Sequence, residues 1–187
     1  MYEMPEQEHV KLTRAVSSRD HIEGSPKALV TLVEYGDYQC PYCGAAYPIV
    51  KRIQKRLGAR LRFVFRNFPL AQSHPNALHA AEAAEAASAQ GRFWEMHDTL
   101  YEHQHALEDR DLEHYAAGLG LDGARFQREL SSHLWRSRVR EDFSEGVRSG
   151  VNGTPTFFID GFRHDGDFEF DTLLAALEAA QSRSRRL

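Results

Sequence analysis

Cysteine is scarce in this chain of 187 residues, which contains two. That excludes a multi-disulfide scaffold and a four-cysteine zinc site. A basic excess is also missing. Lys and Arg number 23 against 27 Asp and Glu, a formal charge of −4, whereas a dedicated nucleic-acid binder carries a strong positive balance. Long apolar runs are absent: residues 28–33 form the longest, far short of the ~20 residues that span a bilayer. The opening MYEMPEQEHVKL is polar and acidic, without the basic start and apolar stretch of a secretory signal. The expectation is a cytoplasmic protein, although a processed exported form would read the same. No repeat or low-complexity linker divides the chain. What is present, 42% hydrophobic and 11% aromatic residues, is enough for one well-packed domain.

Residues 13–16 are expected to form a short strand, followed by a turn at Gly24-Ser25-Pro26. Residues 28–35 (ALVTLVEY) are a nearly continuous apolar run rich in β-branched side chains, the mark of a buried central strand. From Pro41 the spacing turns helical: Ala46, Ile49, Val50, Ile53 and Leu57 fall at steps of three and four before Gly58, with Pro48 a potential kink. Residues 61–65 (LRFVF) alternate as a strand, completing a βαβ unit with parallel strands. The middle is helical, with segments predicted at 75–90, 93–105, 111–119, 122–133 and 135–149. In the last of these, Trp135, Val139, Phe143 and Val147 form one apolar face. Strand character returns at residues 156–159 (TFFI), Asp160-Gly161 reads as a hairpin turn into 162–164, and residues 170–180 make a final amphipathic helix. The pattern is α/β: βαβ, a block of helices, then ββα.

Cys40-Pro41-Tyr42-Cys43 sits where a buried strand ends and a helix begins. The first-turn amides and the helix dipole stabilise an anion there. Pro41 suits the first helical position, where its missing N–H costs nothing. Sulfurs three residues apart on the first turn can reach bonding distance, and such a site lowers a thiol pKa to roughly 3.5–7.5. Cys40 is expected to be the exposed nucleophile and Cys43, one turn deeper, the resolving thiol. A zinc site would need partners among His74, His79, His97, His103, His105 or His114, whose spacing fits poorly. Two inert core cysteines suit a strand-to-helix junction no better. A CxxC beside a βαβ pattern favours redox exchange.

The segments VEYGDYQCPYC, FRNFPL at residues 65–70 and GVNGTPTFFIDG at 150–161 together resemble the DsbA-like thiol:disulfide oxidoreductases of the thioredoxin superfamily. The resemblance runs over about residues 13–181. It implies a thioredoxin fold interrupted by an all-helical insertion: a flexible N-terminus 1–12, a first half 13–72 with the CPYC site, an insertion 73–149, a second half 150–181 and a basic tail 182–187. It further implies that Pro155, after Thr154, is the family's cis-proline, lying beside the disulfide where Thr154 meets an extended substrate peptide. Glu34 matches a buried acidic residue beneath the site. Burial of a carboxylate in an apolar strand should raise its pKa and make it a proton acceptor for Cys43; a strand-end Glu paired with Lys or Arg is the plainer alternative. Pro41 and Tyr42 complete the substrate face. Tyr42 stands where the family's strongly oxidising namesake carries His, so one cationic stabiliser of the thiolate is missing. Arg66 is expected to cap or to form a salt bridge, and Trp94 and Trp135 to pack in the core.

These residues predict a disulfide oxidoreductase acting on protein or small-molecule thiols through Cys40 and Cys43, needing no metal or cofactor, only a recycling redox partner. The alternatives are a non-catalytic peptide-binding or chaperone module on the same fold and a glutathione-linked transferase or isomerase.

Overall fold

β-Branched and aromatic side chains pack well on a pleated surface, and the runs rich in them make the centre of the sheet. The computed structural model describes residues 10–184. Its five strands are ordered β1-β3-β2-β4-β5, with β1 at His21–Gly24, β2 at Val30–Gly36, β3 at Leu61–Asn67, β4 at Thr156–Ile159 and β5 at Phe162–Arg163. β2 is buried throughout, parallel to β3 and antiparallel to β4. α1 (Pro41–Leu57) and a 3-10 turn (Gly58–Arg60) join β2 to β3. Five helices intervene before β4: α2 (Ala77–Ser88), α3 (Phe93–Glu102), α4 (Asp109–Gly118), α5 (Gly123–Ser131) and α6 (Arg136–Arg148). α7 (Phe170–Ser184) closes the fold. This is the thioredoxin-like architecture with a helical insertion. Asp160 and Gly161 both have positive φ (49° and 86°), the backbone a two-residue hairpin needs.

Alternation along β2 sorts the core. Val30 and Leu32 enter the larger cluster with Cys43, Ala46 and Val50 of α1, while Val33 and Tyr35 enter a smaller one with Val64, Phe68 and Phe158. Glu34, in register between Phe65 and Phe157, shares the parity of Leu32 and so lies on the α1 side of the sheet. Trp94 packs against Phe63 and Phe93, and Trp135 against the same core.

Behind the opposite face lies a buried ionic network. Arg66, fully buried, donates to Asp20 (2.8 Å), to the Tyr35 hydroxyl (2.9 Å) and to the Arg14 carbonyl (3.2 Å). Asp142 accepts from Arg14 and from the Asn67 backbone N–H. Without Arg66, Asp20 keeps only Arg14 as a cationic partner among the described residues (3.0 Å), the buried Tyr35 hydroxyl loses its donor, and a large cavity opens in the interior. Arg66→Ala is therefore expected to destabilise the chain by about 3–5 kcal/mol, measured by urea unfolding at neutral pH.

Several boundaries differ from the sequence pattern. The strand expected at residues 13–16 is irregular chain. The edge strand instead forms at His21–Gly24, antiparallel to β3; its short polar sequence is shaped by that tertiary pairing. The loose segment expected over 1–12 is tied down at its end: Lys11 bridges Phe162, and the Leu12 N–H donates to the Gly161 carbonyl, while residues 1–9 lie outside the described residues. Val147 does not share a buried face with Val139; it is 53% exposed. Steps of four advance 40° beyond a full turn each at about 100° per residue, so three steps rotate Val147 out of the stripe, and the buried positions are Val139, Asp142, Gly146 and Ser149. The third predicted helix ends at Glu102, not 105. In the basic tail, residues 182–184 continue α7 and 185–187 lie outside the described residues.

Candidate active site

The chain leaves β2 at Gly36 and enters α1 with Cys40 as the N-cap residue and Pro41 in the first turn. Cys40 has extended backbone (φ −70°, ψ 122°), and the first turn of α1 contains no acidic residue. No carboxylate of the helix's own first turn offsets its positive end. Both cysteines are free thiols.

Burial corrects one expectation: Cys40 is only 3% exposed, a sulfur covered rather than standing out. The residues around it are what shelter it. Its thiol donates to the Thr154 carbonyl at 3.4 Å, and the Thr154–Pro155 peptide bond is cis. Pro41 and Tyr42 are exposed, Tyr42 by 67%, so the apolar rim lies at the surface while the nucleophile lies beneath. Cys43 is fully buried.

The electrostatics separate the two thiols. Donation from the Cys43 thiol, then from Thr154 and from the backbone N–H groups of Cys43 and Tyr42, outweighs burial and lowers the Cys40 pKa to about 5. No imidazolium is among the causes; helix-end amides and hydroxyl-type donors do the work that a cation would do. Cys43 moves the other way: burial, its donation to Cys40 and the nearby Glu34 carboxylate push its pKa up. One thiol is ionised at neutral pH and the other keeps its proton. Thr154 Oγ1 is buried with no hydrogen-bond partner while Cys40 is protonated, and ionisation gives it an acceptor. Thr154→Val is expected to raise the Cys40 pKa by about one and to lower the reduction potential by about 30 mV, as read by thiolate absorbance and glutathione equilibrium.

Glu34 is 2% exposed, and its Oε1 has no hydrogen-bond partner. Among the described residues it forms no salt bridge, so the strand-end ion pair is not the arrangement found. Burial, then the Cys40 charge, raises its pKa to about 8. It borders a narrow cleft lined also by Val50, Gln54, Lys51 and Glu23.

Other residues complete the site without a conspicuous motif. Asp37 Oδ1 accepts from the N–H groups of Gln39 (2.7 Å) and Cys40 (3.1 Å). Its Oδ2 accepts from the Leu70 N–H and meets His74 Nδ1, both at 2.8 Å. Asp37 therefore ties the loop before Cys40 to the segment after β3; the Gly36-Asp37 turn was its one sequence signal, since Asp favours such turns. Gln104, in the loop after α3, donates from Nε2 to the carbonyls of Tyr38 and Cys40 at 2.9 Å each, in space that Gly44 leaves open by lacking a side chain. Tyr38, Tyr101 and a His97 held neutral by burial pack under the site. His79 meets Glu82 and His133, not the cysteines.

A βαβ-ββα sheet with an N-capping cysteine, a second cysteine one turn on, a cis-proline beside them and helices inserted between the halves is a thioredoxin-type fold carrying a helical insertion. The family model described as Thioredoxin matches residues 17–179, and the chain belongs to that family. A thioredoxin-like oxidoreductase from Silicibacter pomeroyi DSS-3 is 27% identical, with a TM-score of 0.77 over 91% of this chain and 95% of that one. Oxidised BdbD from Bacillus subtilis (22% identity, TM-score 0.80, 93% and 98% covered) shares the fold. So does alpha-DsbA1 from Wolbachia pipientis (18%, 0.78, 91% and 94%). Among curated proteins, a Na(+)/H(+) antiporter NhaA 1 from Salinispora arenicola (strain CNS-205) is 47% identical over 167 residues, 89% of this chain and 26% of the relative. Another, from Mycobacterium sp. (strain KMS), is 42% identical over 180 residues, 95% and 29%. The chain spans less than a third of the length of these relatives. No helix of the described residues is long and apolar enough to cross a membrane.

Proposed function

We propose that this chain exchanges disulfides with protein or peptide thiols through Cys40 and Cys43. The observation that carries the reading is the placement of Cys40 at the N-cap of α1, one turn before a buried Cys43 and against the cis Thr154-Pro155 segment. The opposed shifts of the two thiols, Cys40 lowered to about 5 and Cys43 raised, support it. In the oxidising direction, a substrate thiolate attacks Cys40 of the disulfide and Cys43 departs as a thiolate that takes up a proton. The substrate's second thiolate then displaces Cys40, leaving the substrate oxidised and the pair reduced. In the reducing direction, the Cys40 thiolate attacks a substrate disulfide and Cys43, losing its proton, resolves the mixed disulfide. Glu34 receives or returns that proton, directly or through water. Tyr42 and the cis Thr154-Pro155 segment seat the substrate chain, and a separate redox partner regenerates the pair.

The direction leans toward donating the disulfide. A thiol with pKa about 5 stabilises the reduced form at pH 7 by about 3 kcal/mol, or about 60 mV, relative to an ordinary cysteine. A cytoplasmic location goes with the reducing direction and an exported one with the oxidising direction.

Two assays test the reading: reduction of insulin, and oxidation of a dithiol peptide followed by glutathione equilibrium of the pair. Turnover in either, lost in Cys40→Ser, supports it. Peptide binding that survives replacement of both cysteines, with no turnover by the wild type, would favour the peptide-binding module instead.

A further inference from the structure

His79 and Glu82 stand three residues apart on α2, so they share a helix face. His133 reaches them from the turn between α5 and α6. One donor atom from each lies within 4.8 Å of the others, and the two imidazoles meet edge to face at 5.7 Å. We propose that His79, Glu82 and His133 form a binding site for a borderline divalent cation of the zinc type, separate from the cysteine pair.

The donor chemistry fits. Two imidazole nitrogens and a carboxylate are a zinc-type set, whereas calcium and magnesium favour oxygens alone. Bound zinc would hold these atoms about 2.0–2.2 Å from itself, so the three need only draw together through side-chain rotation. Glu82 is buried and offers Oε2 toward His133 while Oε1 meets Arg136. Asp109 lies 3.0 Å from His79 Nε2, placed to orient that ring or to add a fourth ligand.

A conflict among the hydrogen bonds gives an independent reason. His133 Nδ1 lies 3.0 Å from Glu82 Oε2 and 2.9 Å from the Arg136 guanidinium. With a proton, Nδ1 can donate to the carboxylate but repels the Arg136 N–H. Without one, it accepts from Arg136 but faces the carboxylate lone pair to lone pair. Either way one contact fails. His133 holds this place with a left-handed backbone, φ 53°, a conformation uncommon outside glycine. A cation on the Nδ1 lone pair and on Glu82 satisfies both ligands. Arg136, which also binds Glu82 Oε1 at 3.1 Å and is partly exposed, is the group it displaces toward solvent. Arg136 thus competes with the metal, and occupancy pins the α5–α6 turn to α2.

The test uses the oxidised protein, whose disulfide removes the cysteines from competition. It is titrated with zinc chloride alone, and binding is followed by calorimetry and thermal unfolding. One zinc per chain with a raised Tm is expected. His79→Ala and His133→Gly should each weaken binding by at least about tenfold, and glycine suits the backbone at 133, so that variant keeps its fold. Arg136→Gln should tighten binding. Unchanged affinity in both histidine variants, a weaker Arg136→Gln, or no binding below about 1 mM zinc overturns the proposal. The same titration on protein with both thiols alkylated should give the same outcomes, which separates them from the disulfide exchange.

Discussion

Replacing Cys40 with serine is expected to lower insulin reduction by roughly 1000-fold or more, because the residue removed is the nucleophile itself. The geometry gives the reason for the asymmetry between the cysteines. Cys40 is the N-cap residue of α1, its pKa lowered chiefly by the Cys43 thiol with the Thr154 side chain and the amides of Cys43 and Tyr42 adding to it, while Cys43 is enclosed and held protonated. Cys43→Ser should therefore keep the first attack and lose the second. Incubated with a disulfide substrate, it should accumulate a mixed disulfide on Cys40, visible as a mass adduct that thiols remove. Adducts on Cys40→Ser and none on Cys43→Ser would reverse the assigned roles.

The second large effect belongs to Glu34→Gln, and its sign depends on pH. The carboxyl has an ordinary pKa of 4.5 unfolded and about 8 folded, so the folded chain holds a proton that the unfolded chain releases. Stability is unaffected below pH 4.5, falls as pH rises toward 8, and is constant above. Gln removes that cost. The oxidised variant should match the wild type near pH 4 and exceed it at pH 8.5, by less than the ~5 kcal/mol that the full shift represents because the Cys40 charge is gone, read as a higher Tm. The oxidised form is the right one to compare, since burial, the larger cause, persists without the Cys40 charge. Function should move oppositely. Loss of the proton acceptor should slow resolution of the mixed disulfide by about tenfold or more, and the wild-type dependence near pH 8 should vanish. A variant that resolves at the wild-type rate from pH 5 to 9 would remove Glu34 from the proton path.

Much of this site is visible in local sequence because its parts are local. Strand, CxxC and helix are contiguous, and their chemistry follows from a helix N-terminus and the three-residue spacing. Thr154-Pro155 is distant in sequence, yet its motif is compact enough to stand out. Glu34 was legible as an anomaly, a carboxyl in an apolar strand. What escaped depends on contacts across the fold. Asp37 looks like a turn residue until Leu70 and His74 arrive from beyond β3. Gln104 lies in an ordinary polar loop, and only packing of the insertion brings its amide to the Cys40 carbonyl. The exposure of Cys40 was overestimated for the same reason, since the cover comes from residue 154, 114 positions away. At the edge of the sheet, His21–Gly24 has little strand propensity of its own and takes its form from β3.

The account rests on Cys40 being ionised at neutral pH, and the direct measurement is the rate of its alkylation by iodoacetamide against pH in the reduced protein, with the labelled residue identified by mass. A rate rising with a midpoint near pH 5 is predicted, together with a reduced form that loses stability relative to the oxidised one as pH falls through the same value. A midpoint near 9, that of an ordinary cysteine, would contradict it.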